Sequence, residues 1–253
     1  MQTFKLTLEY DGSKFSGWQQ QINARTVQGD LIEAARTILR AEIDVQGAGR
    51  TDAGVHAITQ VAHLKLRTPT KLSPADLLRE LNQRLPSSIA VTGLELAAPR
   101  FHARHDAISR AYFYQISTRK TALAKRYVWW IKEPLDVSRM QAGAALLTGR
   151  HDFAAFHSPD PSKPGESTIV VVDSAEVALD EHLIVFRIEA SHFLWKMVRR
   201  LTGTLVKLGG EKREITVEQF RGLLAGSPSP KELDIAAWTA PASGLFLEGV
   251  RYS

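Results

Sequence analysis

Residues 43–66 read IDVQGAGRTDAGVHAITQVAHLKL, and the parsing of this stretch decides the fold. Ile43 to Val45 forms a short strand. Ala62, Leu64 and Leu66 alternate with His63 and Lys65 in the period of two of a half-buried strand. Between them lies a segment with glycines at 47, 49 and 54 that also carries Arg50, Thr51, Asp52 and His56. A simple hairpin needs only about two to five loop residues. The segment is therefore a long charged loop between neighbouring strands, and such loops on rigid sheets are where functional residues concentrate. Its glycines can adopt positive φ and admit another backbone at close range.

The flanks place this strand–loop–strand unit in a longer order. Upstream, Phe4, Leu6, Leu8 and Tyr10 alternate with Lys5, Thr7 and Glu9 as a strand, and residues 11–21 form a loop. Thr26 can cap a helix that carries Val27, Leu31, Ala34, Ala35 and Ile38 on one face. Downstream, Ser73-Pro74 opens a helix with Leu77, Leu78, Leu81 and Leu85, and Ile89 to Leu96 is another strand. The order β-α-β-β-α-β is the ferredoxin-like one.

The second half repeats that order without repeating the sequence. RAYFYQIS (110–117) is a strand with Tyr112, Tyr114 and Ile116 on one face. Asp136 caps a helix with Met140, Ala144 and Leu147. Thr168 to Leu179 and Leu183 to Ala190 form a hairpin that turns at Asp180-Glu181-His182. Helices follow at Phe193 to Leu208 and near Val217 to Ala225, and GLFLEGVRY (244–252) closes as a strand. The expected fold is α+β: two fused ferredoxin-like (RNP-like) β-α-β-β-α-β units with largely antiparallel sheets around a central catalytic cleft. The first unit covers residues 1–104 and carries the glycine-rich loop; the second covers 105–253. The Pro- and Ser-rich stretch 158–167 is expected to be a loop.

Composition narrows the chemistry. The 253 residues include no cysteine, which excludes disulfides, thiolate nucleophiles and Cys-ligated zinc, including the zinc site of nucleobase deaminases. A net charge of +5 suits a polyanionic partner. No run approaches the roughly 18 to 20 apolar residues of a membrane span, and the first residues lack signal-peptide character, so a cytoplasmic location is expected. The glycines match neither phosphate-loop nor dinucleotide spacing. Asp52 and His56 are four apart, but Gly54 argues against a helix and no third ligand suggests itself, so no metal is expected. His151, Asp152 and His157 suit capping or packing. Arg100 with Arg104, and the paired cations Arg119-Lys120, Lys125-Arg126 and Arg199-Arg200, are candidates for phosphate contact.

GRTDAGVHA (49–57) resembles the active-site motif of the tRNA pseudouridine synthase A family, and further matches run along nearly the whole chain. They include YDGSKFSGWQQQ (10–21), TVQGDLIEA (26–34), LNQRLPSSIAV (81–91), FHARHDAISRAYFY (101–114), HDFAAFHS (151–158), FLWKMVRRLTGTLVKLG (193–209) and APASGLFLEGV (240–250). The resemblance implies conversion of uridine to pseudouridine in the anticodon stem-loop of tRNA, at positions 38–40, by a homodimer that needs neither metal nor cofactor. It assigns Asp52 as the catalytic aspartate and Tyr112 as the ring against the target uracil. Arg199 falls on the basic residue paired with the aspartate, and Arg50 on the arginine of base flipping. Apart from the resemblance, Arg104 and Arg110 are expected to contact the substrate through their charge. In this scheme His56 is structural. Val170 departs from the pattern, standing where many relatives carry arginine.

The chemistry suits these residue types. A carboxylate can serve as covalent nucleophile or base, and Asp52 could attack ribose C1′ or uracil C6, or assist formation of a glycal. An extruded base calls for an aromatic face and a side chain to fill the vacated space. Two other classes fit the composition: an inert ferredoxin-like RNA-binding protein, and a nucleoside hydrolase or glycosylase. Neither explains Asp52, Arg50, Tyr112 and Arg199 together.

Overall fold

The computed structural model describes residues 1–159, 165–227, 229–230 and 232–253; the loop expected over 158–167 lies partly outside them. The chain forms two compact units, Met1–Ile108 with Phe246–Ser253, and Ser109–Leu245. It is α+β, and most of the strand pairs among the described residues are antiparallel.

In the first unit β1 (Gln2–Tyr10), α1 (Val27–Leu39), β2 (Ile43–Gly47), β3 (His56–Leu66), α2 (Pro74–Arg84) and β4 (Ile89–Ala97) follow the expected order. The alternation in β1 buries Phe4, Leu6, Leu8 and Tyr10 and turns Glu9 outward. Thr26 caps α1 through its side chain to Gly29 N, and Ser73 caps α2 at Asp76 N with Pro74 in the first turn. The helices bury Val27, Leu31, Ala35, Leu77 and Leu81. Ile38 is only half-buried.

Antiparallel pairing gives β4-β1-β3-β2, the ferredoxin order. The long strand β3 shares its outer edge between two partners. Ala62 to Leu66 pair with β2. His56 and Ala57 pair in parallel with Phe246 and Leu247 of β10 (Leu245–Tyr252). This departs from the sequence reading, which assigned the closing strand to the second half: from Phe246 onward it belongs with the first unit, whose sheet it extends beside the glycine-rich loop. A small cluster of Ala48, Val61 and Ala103, with Phe101, Val250 and Tyr252 against it, adds a second apolar layer.

The second unit contains β5 (Ala107–Ser117), β6 (Trp129–Trp130), α3 (Val137–Ala145), β7 (Gly149–Asp152), β8 (Ile169–Asp180), β9 (Leu183–Ala190), α4 (Met197–Gly209) and α5 (Val217–Leu224). Its sheet runs β5-β9-β8-β7, with β6 parallel to the end of β5. Asp136 caps α3 at Arg139 N, and Thr216 with Gln219 forms a capping box on α5. Helix α4 starts four residues later than the periodicity suggests. Lys196 takes left-handed φ (62°) and breaks the helix, leaving Phe193 outside it. The strands β6 and β7 were not legible: β6 is two residues long, and β7 has no apolar alternation. Asp152 at the end of β7 accepts from Thr168 Oγ1 (2.6 Å) and Ala154 N (3.0 Å).

Candidate active site

The loop between β2 and β3 is fastened on both flanks by the segment that follows β1. Trp18 N donates to Thr51 O (3.1 Å), and Gly54 N donates to Phe15 O (3.2 Å). The same segment reaches α1 through Val27 N to Gly17 O and Gln28 N to Trp18 O. Glycines make this closeness possible. A Cβ on Gly12 would lie 1.9 Å from Val55 O, and one on Gly17 (φ +96°) would lie 2.7 Å from Thr51 O.

Within the loop, Gly54 uses positive φ (80°), while a Cβ on Gly47 would run into the Trp18 indole at 2.6 Å. Ala48 N donates to Val61 O and extends the pairing of the strands into the loop (2.7 Å). Gln60 Nε2 donates to Gly49 O (3.1 Å). Val55 N returns to Asp52 O (3.1 Å), closing a tight turn over residues 52–55. These ties leave Asp52 half-buried on a fixed backbone, with Arg50 exposed two residues before it. A carboxylate so held can meet a substrate without the loop first having to order.

Beneath the loop lies a polar pair that the alternation of β1 concealed. Tyr10 Oη sits 2.9 Å from Thr51 Oγ1, and both residues are buried. Burial pushes the Tyr10 phenol up to about 12, against smaller opposing effects of hydrogen bonds from Thr51 and Gln60. The phenol stays protonated at neutral pH and braces Thr51 from below. The visible signal was Thr51 itself, a hydroxyl next to the aspartate with no reason to be buried.

His56 is buried and stacks on Phe246 (4.6 Å between ring centroids). Its Nδ1 has Gly12 N at 3.1 Å and Asp11 Oδ1 at 3.2 Å. The amide can only donate, so Nδ1 accepts from it. The Asp11 carboxylate also accepts from Ser13 N (2.9 Å) and Ser13 Oγ (2.6 Å). Among the described residues no group of three or more His, Cys, Asp or Glu side chains is arranged to hold a metal ion.

The first unit carries Arg50, Asp52 and Arg104, the last exposed on the turn before β5. The second carries Arg110, Tyr112 and Arg199. Arg110, on β5, donates through Nη1 to Ser191 O (3.0 Å). Tyr112, also on β5, is 8% exposed, with its ring edge-on to Phe193 at 5.0 Å. Tyr114 and Ile116, on the same face, are fully buried core. Arg199 is half-buried on α4, and its Nε donates to Ala240 O (2.7 Å). Beside it Tyr114 Oη donates to Pro241 O (2.7 Å). Burial raises the Tyr114 phenol strongly, with the nearby Arg199 charge opposing. Arg199 and Tyr114 thus fasten the Ala240–Pro241 segment together. Val170 is fully buried on β8 opposite His151.

Comparison with known proteins identifies the family. A family model described as tRNA pseudouridine synthase matches residues 7–106 and 144–253. The tRNA pseudouridine synthase A of Thermodesulfovibrio yellowstonii is 36% identical, over all of both chains. The protein of that name from Paramagnetospirillum magneticum is 38% identical over all of this chain and 96% of its own. The one from Methylococcus capsulatus is 39% identical over 98% and 88%. Shared identity at this level along the full length leaves one assignment: the chain belongs to the tRNA pseudouridine synthase family, isomerases that convert uridine to pseudouridine.

Proposed function

We propose that this chain isomerises uridine to pseudouridine in the anticodon stem-loop of tRNA, at positions 38–40, acting as a homodimer with Asp52 as its reacting carboxylate. The observation that carries the reading is the fastening of the loop around Asp52. Hydrogen bonds from Trp18 and Gly54, and the buried Tyr10–Thr51 pair, hold a half-buried carboxylate on an otherwise permissive glycine backbone.

The reaction breaks the bond between ribose C1′ and uracil N1, turns the base, and joins C1′ to C5. The proton lost from C5 is balanced by one gained at N1, so nothing is oxidised or reduced. Asp52 acts as nucleophile or base in this sequence. The target base must first leave the stack, and Arg50, exposed two residues from Asp52, fills the vacated space. In this reading Tyr112 is the aromatic partner of the uracil and Arg199 a basic residue of the reaction, roles carried over from the resemblance. Arg104 and Arg110 contact the RNA backbone. A cytoplasmic enzyme would meet its tRNA substrate there.

The test uses unmodified tRNA transcripts, the native protein and Asp52→Ala, with pseudouridine mapped by selective chemical labelling. Modification in the anticodon arm by the native protein is expected to fall by at least about 10³-fold in the variant, while RNA binding is retained. Undiminished activity in Asp52→Ala would overturn the assignment, and release of free uracil would indicate a glycosylase.

A further inference from the structure

The turn before β5 is built on two imidazoles. Three consecutive backbone N–H groups point at ring nitrogens: Ala103 N at His63 Nδ1 (3.0 Å), and Arg104 N and His105 N at His102 Nδ1 (3.2 and 3.4 Å). A backbone amide can only donate, so both Nδ1 atoms are unprotonated acceptors. His63, fully buried on β3, then carries its proton on Nε2, with Asp44 Oδ2 at 3.5 Å. The turn closes on itself through His102 N to Asp106 Oδ2 (2.9 Å) and Asp106 N to His102 O (3.0 Å). On the other side of the same residue, Tyr252 Oη donates to Ala103 O (2.6 Å).

Ala103 is thus fully buried and held at both its amide and its carbonyl, while the next residue, Arg104, is exposed. A buried histidine with a committed tautomer is an unusual support for a surface turn. An apolar residue would pack as well but would leave the Ala103 amide unpaired. We propose that His63 is a positioning residue for tRNA binding: its neutral ring accepts the Ala103 amide on Nδ1 and so fixes the 101–106 turn in the form that presents Arg104 to an RNA phosphate. The proposal rests on Arg104 being an RNA contact, as read above.

Binding of an unmodified tRNA transcript over a range of salt concentrations tests it. Arg104→Ala is expected to weaken binding several-fold and to lower the slope of log K against log salt by about 0.7 to 0.9, the signature of one lost phosphate contact. His63→Leu, which keeps the volume but removes the acceptor, should lower the slope similarly and raise KM with kcat within about two-fold. The double variant should bind no worse than Arg104→Ala alone. His63→Asn, whose Oδ1 stands where Nδ1 stood, should restore the slope. Multiplying effects in the double variant, or no rescue by asparagine, would overturn the proposal. Should His63→Leu not fold, the long-range ¹H–¹⁵N spectrum of the native protein decides: a proton on His63 Nδ1 rules the scheme out. If Arg104→Ala leaves the slope unchanged, the Arg104 contact fails and this proposal with it. Pseudouridine formation by the native protein on the same transcript tests the reaction separately.

Discussion

Tyr10 Oη and Thr51 Oγ1 meet at 2.9 Å beneath the loop that carries Asp52. The two residues are 41 positions apart, so this contact ties the first strand of the chain directly to the residue preceding Asp52. Removing one partner of a buried hydroxyl pair costs about 1 kcal/mol. Tyr10→Phe and Thr51→Val should each lower kcat about three- to ten-fold with KM little changed, while Thr51→Ser stays near the native rate. The two changes together should cost no more than one, because they break the same bond. Steady-state kinetics on a tRNA transcript would show it, and strictly additive losses would mean that the pair does not support Asp52.

The seating of the loop on the segment after β1 predicts a sharp contrast between two glycines. Gly12→Ala would force a methyl to within 1.9 Å of Val55 O. It should destabilise the protein by about 2 to 4 kcal/mol and remove activity. Gly93→Ala would meet only the Thr7 side chain at 3.5 Å and should leave both nearly unchanged. Thermal unfolding and turnover of the two variants provide the comparison.

On α4, charge and tether can be separated. Arg199→Lys keeps a cation but loses the Nε donor to Ala240 O. It is expected to lower kcat by at least about ten-fold and stability by about 1 kcal/mol. Tyr114→Phe removes the companion bond to Pro241 O and should cost similar stability with a far smaller effect on kcat. Equal kinetic effects would reduce Arg199 to a structural role.

The imidazole turn makes stability depend on pH. Burial, with the Lys65 and His102 charges, lowers the His63 ring from 6.5 to about 4, against Asp44. His102 is lowered as well, by burial, His105 and Lys65. In the unfolded chain these rings protonate at a higher pH than in the folded one. Their contribution is therefore complete above about pH 6.5 and is lost as pH falls toward 4; for His63 it amounts to about 3 kcal/mol. Thermal unfolding from pH 7.5 to 4.5 should show this decline, and His63→Asn should flatten it.

How much of this was legible depended on distance along the chain. Alternation in β1 and the caps at Thr26, Ser73 and Asp136 are local signals, and they yielded the ferredoxin-like order. Asp52 stood out because its neighbours are glycines. The partner of the last strand left no local trace, since nothing within residues 245–252 indicates that Phe246 lies beside His56. Alternation also misleads where a strand is covered on both faces. His63 reads as an outward residue between Ala62 and Leu64, yet Gln60 through Leu64 are all buried. In the same way FLWKMV has helical spacing, but Lys196 in the left-handed region keeps Phe193 free to pack edge-on against Tyr112.

The sharing of the β3 edge has a consequence for biosynthesis. A ribosome releases the glycine-rich loop long before Phe246, and until then the backbone at His56 and Ala57 lacks the neighbour that covers it in the finished protein. His56 likewise waits for its stacking partner. Such a long-range closure is slow to form. The nascent chain would therefore carry Asp52 on an unfinished sheet until Phe246 and Leu247 reach His56 and Ala57.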